Sequence, residues 1–141
     1  MHIGIYEIER LLGSGGFAEV YLGHAHKRSF AIKRLSSNSE PHATTILSRE
    51  YQCLRSLNHP NIVKLKEVIR ENDELFFVFE FMEGNLYEVC KKRDRHFPEQ
   101  QVRNMMYQIF QGIAFMHRNG FFHRDIKPEN MLVKGDVVKI A

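Results

Sequence analysis

His123-Arg124-Asp125-Ile126-Lys127-Pro128-Glu129-Asn130 sets an acid, a cation two residues later and an amide five residues later in one short polar stretch. An aspartate can accept the proton of a hydroxyl, a lysine two positions on can hold a phosphate, and an asparagine oxygen suits Mg²⁺. At typical usage near ~5% per residue type, His-Arg-Asp with that Lys and Asn recurs by chance on the order of once per million starting points. A loop that is merely polar does not predict this spacing.

Upstream of that stretch, a long helix is expected from Pro98 to Gly120, with Val102, Met105, Met106, Ile109, Ile113 and Met116 as its apolar stripe. Asn85-Leu86-Tyr87-Glu88 has capping-box spacing and opens a shorter helix. Downstream, residues 131–134 and 137–140 read as two short strands around a loop.

The first part of the chain has a different texture. Residues 5–13 and 19–35 are rich in Val, Ile, Tyr, Phe and Leu and read as three strands of an antiparallel meander. Residues 36–43 form a loop by composition. Residues 44–57 carry Leu47, Tyr51, Leu54 and Leu57 at helical spacing, and His59-Pro60-Asn61 ends that helix. Strands follow at 62–70 and 75–82. A strand-rich part therefore precedes a helical part, which predicts two lobes, residues 1–83 and 84–141.

Two further constellations bear on chemistry. Leu12-Gly13-Ser14-Gly15-Gly16-Phe17-Ala18-Glu19-Val20 is glycine-rich, and glycines let backbone amides approach an anion. A plain β-turn also fits. A dinucleotide-binding loop would open into a helix, whereas Glu19-Val20-Tyr21-Leu22 is strand-like, and the Gly-Lys-Ser/Thr of a P-loop is absent. In Phe30-Ala31-Ile32-Lys33, Ala31 and Lys33 share one strand face, which leaves room for a flat ring beside an ammonium. Glu50 falls within or at the edge of the apolar stripe of helix 44–57, so a cationic partner is expected, and Lys33 is the natural one. At about 4 Å and an effective dielectric near 20 such a pair attracts by roughly 4 kcal/mol before desolvation is charged against it.

Bulk composition excludes several classes. With 141 residues, 43% hydrophobic and 26% charged, the chain suits a globular domain rather than a disordered one. The net charge of +3 comes from interspersed residues, which argues against nucleic acid. No signal peptide and no bilayer-spanning run is read, so no membrane insertion is expected. Cys53 and Cys90 have no metal-ligand spacing and read as reduced thiols of an intracellular protein. His24 and His26, on one strand face, read as solvated imidazoles. The run Lys91-Lys92-Arg93-Asp94-Arg95-His96 reads as a solvated helix end.

Taken together and in this order, the three motifs resemble the signature of the eukaryotic Ser/Thr protein kinase catalytic domain, and the likeness covers the whole chain. The resemblance implies an α+β, protein-kinase-like bilobal fold: a five-stranded antiparallel N-lobe with one helix, then an incomplete helical C-lobe. It implies Asp125 as catalytic base, Lys127 as phosphate lysine, Asn130 as Mg²⁺ ligand, and Lys33 paired with Glu50. ATP would meet Leu12, Gly13, Ser14, Gly15, Gly16, Phe17, Ala18, Glu19, Val20, Ala31, Lys33, Asn85 and Leu132. Phe79 takes the gatekeeper place, with Glu80, Phe81 and Met82 as the hinge that reads adenine. Leu54, Leu65 and His123 match members of a hydrophobic spine. Ala18 departs from the usual third glycine.

Arg49-Glu50, His59-Pro60-Asn61 and Phe79-Glu80-Phe81-Met82 are similar to the cyclin-dependent and MAP kinase branch. Lys66-Glu67-Val68-Ile69-Arg70-Glu71-Asn72-Asp73 and Gly120-Phe121-Phe122-His123 look most like the male germ cell-associated and intestinal-cell kinase group, which is linked to cilia and flagella. Expected partners are Ser/Thr protein substrates and an activating kinase or regulatory subunit, at a cytoplasmic, nuclear or ciliary location. Val138-Lys139-Ile140-Ala141 resembles the strand that leads into Asp-Phe-Gly, so residues 1–141 alone are expected to be inactive and, without the later C-lobe helices of the family, to leave part of the long helix, including Met105, Ile109 and Met116, uncovered. The alternative is a truncated, non-catalytic nucleotide- or partner-binding isoform.

Overall fold

The computed structural model describes residues 1–15, 18–35, 49 and 51–141. The chain divides into two compact units, residues 1–55 with 64–81, and residues 56–63 with 82–141.

The first unit is built on β1 (His2–Ile3), β2 (Tyr6–Gly15), β3 (Ala18–Ala25), β4 (Arg28–Leu35), β5 (Leu65–Glu71) and β6 (Glu74–Glu80), ordered β1-β2-β3-β4-β6-β5 with every pair antiparallel. The sheet has six strands rather than five, because His2 and Ile3 fold back to pair with Glu7 and Tyr6. The Gly4 amide anchors that return by donating to Glu71 Oε2 at 2.9 Å. Two-residue turns at His26-Lys27 and Asn72-Asp73 have positive φ at both positions, the conformation that matches strand twist in tight hairpins. His26 therefore sits in a turn and not on a strand face with His24, whose ring meets Glu9 and Ser29 instead. Among the described residues no cluster of three or more His, Cys, Asp or Glu side chains could hold a metal.

Strand alternation sorts the sheet into two faces. One buries Ile3, Tyr6, Ala25, Ile32, Phe76 and Val78, with Ile8, Tyr21, Phe30 and Ile69 packed around them. Tyr6 stands edge-on to Phe30 and donates to Glu67 Oε2 at 2.7 Å, so burial and that carboxylate push its pKa up to about 12. The opposite face carries Phe77, which is 0% exposed, beside Phe79. Residues 51–56 are helical (α1), and Tyr51 lies against Phe77 at a 6.4 Å centroid distance. The beginning of the helix expected over 44–57 lies outside the described residues.

The second unit contains β7 (Gly84–Asn85), α2 (Leu86–Lys91), α3 (Glu99–Arg118), β8 (Met131–Lys134) and β9 (Val137–Ile140), with the strands ordered β7-β8-β9. Asn85 caps α2 as its spacing predicts, its Oδ1 accepting from the Glu88 amide at 2.9 Å. Beyond α3, Gly120 adopts φ +80° and Phe121 N–H returns to Met116 O at 3.0 Å, which closes the helix.

Asn61 ties three segments together. Its Nδ2 donates to Gln108 Oε1 on α3 and to Val138 O on β9, at 3.1 and 3.0 Å, while its carbonyl accepts from Ile140 N–H at 2.8 Å. This attachment explains why β5 begins at Leu65 and not at residue 62: Ile62 instead forms a parallel bridge to Ile140. His59 packs its ring on Phe115, and burial, followed by the Arg118 charge, holds its pKa below the ordinary value.

The apolar side of α3 is divided differently from expectation. Ile109 and Met116 are buried, at 6% and 5% exposure. The exposed apolar residues are instead Val102, Met106, Tyr107 and Phe110, the last at 60%. Helical period marks both stripes as apolar and cannot say which one β9 and the 59–63 segment cover.

Gly112 lies on the covered side, where a Cβ would come within 2.9 Å of both Asn61 O and Ile140 Cδ1. Because one of those atoms is backbone, Gly112→Ala should destabilise the fold by about 1–3 kcal/mol despite the better helix propensity of alanine. Urea unfolding of the two proteins checks this, and equal midpoints would show that the segment yields freely.

Candidate active site

The densest chemistry in the second unit is the loop between α3 and β8. His123 Nδ1 accepts from the Asp125 amide at 3.0 Å, and its Nε2 meets Ala141 O at 2.6 Å. The first contact needs a bare Nδ1 and the second a protonated Nε2, which selects the neutral Nε2–H tautomer. Between them Arg124 is held at φ +68°, a left-handed conformation that costs a non-glycine residue on the order of 1 kcal/mol. The pinned neighbours keep it there.

Asp125 is the hub of this loop. Asn130 Nδ2 donates to the Asp125 carbonyl at 2.9 Å and to Asp125 Oδ2 at 3.2 Å, and Lys127 Nζ lies 3.4 Å from the same Oδ2. A single 3₁₀ turn, Pro128–Asn130, brings the amide back to the acid, with Asn130 N–H bonded to Lys127 O at 3.0 Å. Asp125 and Lys127 are both well exposed, so their ion pair adds little stability. The arrangement leaves a carboxylate that can take a proton, a cation beside it, and an amide whose nitrogen is committed to Asp125. Its Oδ1 is then the oxygen it offers to a hard cation.

In the first unit, the β2–β3 hairpin carries the glycine-rich stretch. Gly13, Ser14 and Gly15 lie opposite Val20, Glu19 and Ala18, with Leu12 exposed at their base. Gly16 and Phe17 lie outside the described residues. A Cβ at Gly13 or Gly15 would meet nothing within 4 Å, so the backbone there is open to an approaching group. Register then aligns Val20, Lys33 and Phe77 in one row across β3, β4 and β6, and Leu22, Ala31 and Phe79 in the next. Phe77 was not among the sequence candidates, because only the pairing of β4 with β6 puts it beside Lys33. Glu50 lies outside the described residues, and the pairing expected for it with Lys33 does too.

Other candidates take these places. Glu80 ends β6, and its Oε1 accepts from the Lys64 amide at 3.4 Å. Met82 is buried in the second unit, where Asn85 on β7 stands opposite Leu132 on β8. The Asn85 side chain is occupied as the α2 cap.

The family model described as the protein kinase domain matches residues 6–141. The chain belongs to the protein kinase family. It is 49% identical over 139 residues to serine/threonine-protein kinase MAK of Homo sapiens and 50% identical to serine/threonine-protein kinase ICK of Mus musculus. It is 48% identical to cyclin-dependent kinase F-3 of Oryza sativa subsp. japonica. Each alignment covers 96% of this chain, but 22% of MAK and of ICK and 32% of the rice kinase, so the chain spans about a fifth to a third of these relatives. The antiparallel sheet of the first unit is thus that of a kinase N-lobe, and the expected α+β, kinase-like fold class stands. Among the described residues no helix is long and apolar enough to cross a membrane.

Proposed function

We propose that the full-length protein transfers the γ-phosphate of ATP to Ser and Thr hydroxyls of protein substrates inside the cell, in cytoplasm, nucleus or cilium. The carrying observation is the convergence of Lys127 and Asn130 on the Asp125 carboxylate. In this reading Asp125 accepts the hydroxyl proton, Lys127 steadies the transferred phosphate, and Lys33 holds the nucleotide phosphates. The Gly13–Val20 hairpin lies over those phosphates through backbone amides. The family resemblance assigns adenine contacts to Val20, Ala31 and Leu132 and to backbone groups of Glu80 to Met82, with Phe79 as gatekeeper.

Asn130 fits Mg²⁺ as one oxygen ligand, since its amide nitrogen is already committed to Asp125. When bound, Mg²⁺ supplies neutralisation of charge on the β- and γ-oxygens. Residues 1–141 contain Asn130 but no Asp-Phe-Gly aspartate. The 141-residue segment by itself is therefore expected to show no measurable phosphoryl transfer, whereas the full-length protein phosphorylates a Ser/Thr protein substrate and prefers ATP to GTP. Radiolabelled transfer assays with both nucleotides test this. Comparable use of GTP would count against the hinge at Glu80 to Met82, and robust transfer by the isolated segment against the metal-site reading.

A further inference from the structure

Directly behind the Val20–Lys33–Phe77 row, on the opposite face of the same sheet, lies a charged ladder. Glu19 precedes Val20 on β3 and pairs in register with Arg34, which follows Lys33 on β4. Arg34 Nη1 donates to Glu19 Oε2 at 3.2 Å, and its Nη2 donates to Glu74 Oε1 on β6. The Tyr21 hydroxyl, two residues along the same face of β3, donates to that same Glu19 oxygen at 2.6 Å. The hydrogen bond to Glu19, and then burial, raise the Tyr21 pKa, which keeps the hydroxyl a donor. One guanidinium thus bridges two carboxylates on strands to either side of its own, an arrangement that its planar fork permits and a lysine ammonium does not.

These bonds stabilise the fold only modestly, because the side chains are all partly exposed: 40% for Arg34, 41% for Glu19 and 31% for Glu74. Their placement is more telling. The ladder clamps the β3 limb of the glycine-rich hairpin at Glu19, opposite Ser14, and clamps β4 one residue beyond Lys33. It crosses the sheet on the side away from Ala31 and Lys33, so it fixes their strands without occupying their face.

We propose that Arg34, through Glu19, Tyr21 and Glu74, is a positioning residue for nucleotide binding, setting Lys33 and the β3 limb of the hairpin relative to each other. This rests on the ATP reading above. It adds that affinity for the nucleotide phosphates depends on side chains that never touch them.

The test is the Kd of the full-length protein for a fluorescent ATP analogue, with the thermal midpoint measured in parallel. Arg34→Ala should weaken binding by about tenfold, the scale of displacing a phosphate-contacting group by a fraction of an ångström. Arg34→Lys, which keeps the charge and loses the fork, should recover part of the loss. Tyr21→Phe, a milder change that preserves the fold if Arg34→Ala does not, should cost about threefold. Tyr6→Phe supplies the structural control, since it breaks a bond of similar reach (Tyr6 to Glu67) in the same sheet and should lower the midpoint without moving Kd. Wild-type affinity in both Arg34→Ala and Tyr21→Phe would overturn the proposal, as would a loss that Tyr6→Phe matches at equal loss of midpoint. A wild-type protein that binds no nucleotide would overturn the ATP reading and this inference together.

Discussion

Asp125→Asn in the full-length protein is expected to lower kcat for phosphoryl transfer by about 10²–10⁴-fold, the range of a lost general base. The substitution is nearly isosteric, and the Asp125 carbonyl that accepts from Asn130 is backbone and survives it. The amide can still accept a hydrogen bond from Asn130 but cannot take up a proton. Because the carboxylate is exposed and its ion pair with Lys127 is a surface one, the thermal midpoint should stay within a degree or two of wild type. The KM for ATP should change far less than kcat, since in the proposed role the lost group acts on the hydroxyl and not on the nucleotide. Steady-state kinetics with a Ser/Thr protein substrate decide the matter. Activity within tenfold of wild type would remove Asp125 from the role of base.

Lys33→Met should lower kcat by about 10²-fold or more, the usual cost of deleting one group that stabilises transition-state charge. Methionine retains most of the lysine stem and removes the ammonium, so packing beside Val20 and Phe77 is largely preserved. The expected signature is therefore a protein that unfolds near the wild-type temperature and turns over very slowly. Full activity would sink the phosphate role of Lys33. A large drop in midpoint instead would mean that the lysine serves the sheet.

Much of this could be read from local pattern. The Asn85 cap, the helix from Pro98 to the stop at Gly120, and the two short strands β8 and β9 all depend on residues a few positions apart, whose preferences act before any tertiary contact forms. The geometry of the 123–130 loop was legible for the same reason. Asp125, Lys127 and Asn130 lie within one turn of chain, and a short 3₁₀ segment suffices to bring them together.

Tertiary structure decided what local pattern cannot reach. The two apolar stripes of α3 have the same period, and only the arrival of β9 and residues 59–63 determined that Ile109 and Met116 are covered while Val102, Met106 and Phe110 are not. Asn61 was legible as part of a helix stop, but nothing local showed that it and Gln108 together attach β9 to the helix. The ladder through Arg34 joins residues 15 and 40 positions apart. Sequence by itself therefore determined most of the described elements, their order and the short-range contacts of the 123–130 loop, but not the added strand β1 or the short β7. Strand register determined which side chains stand beside Lys33, and packing determined which stripe of α3 is covered, because such pairings are selected by burial and hydrogen bonding, where separation along the chain carries no information.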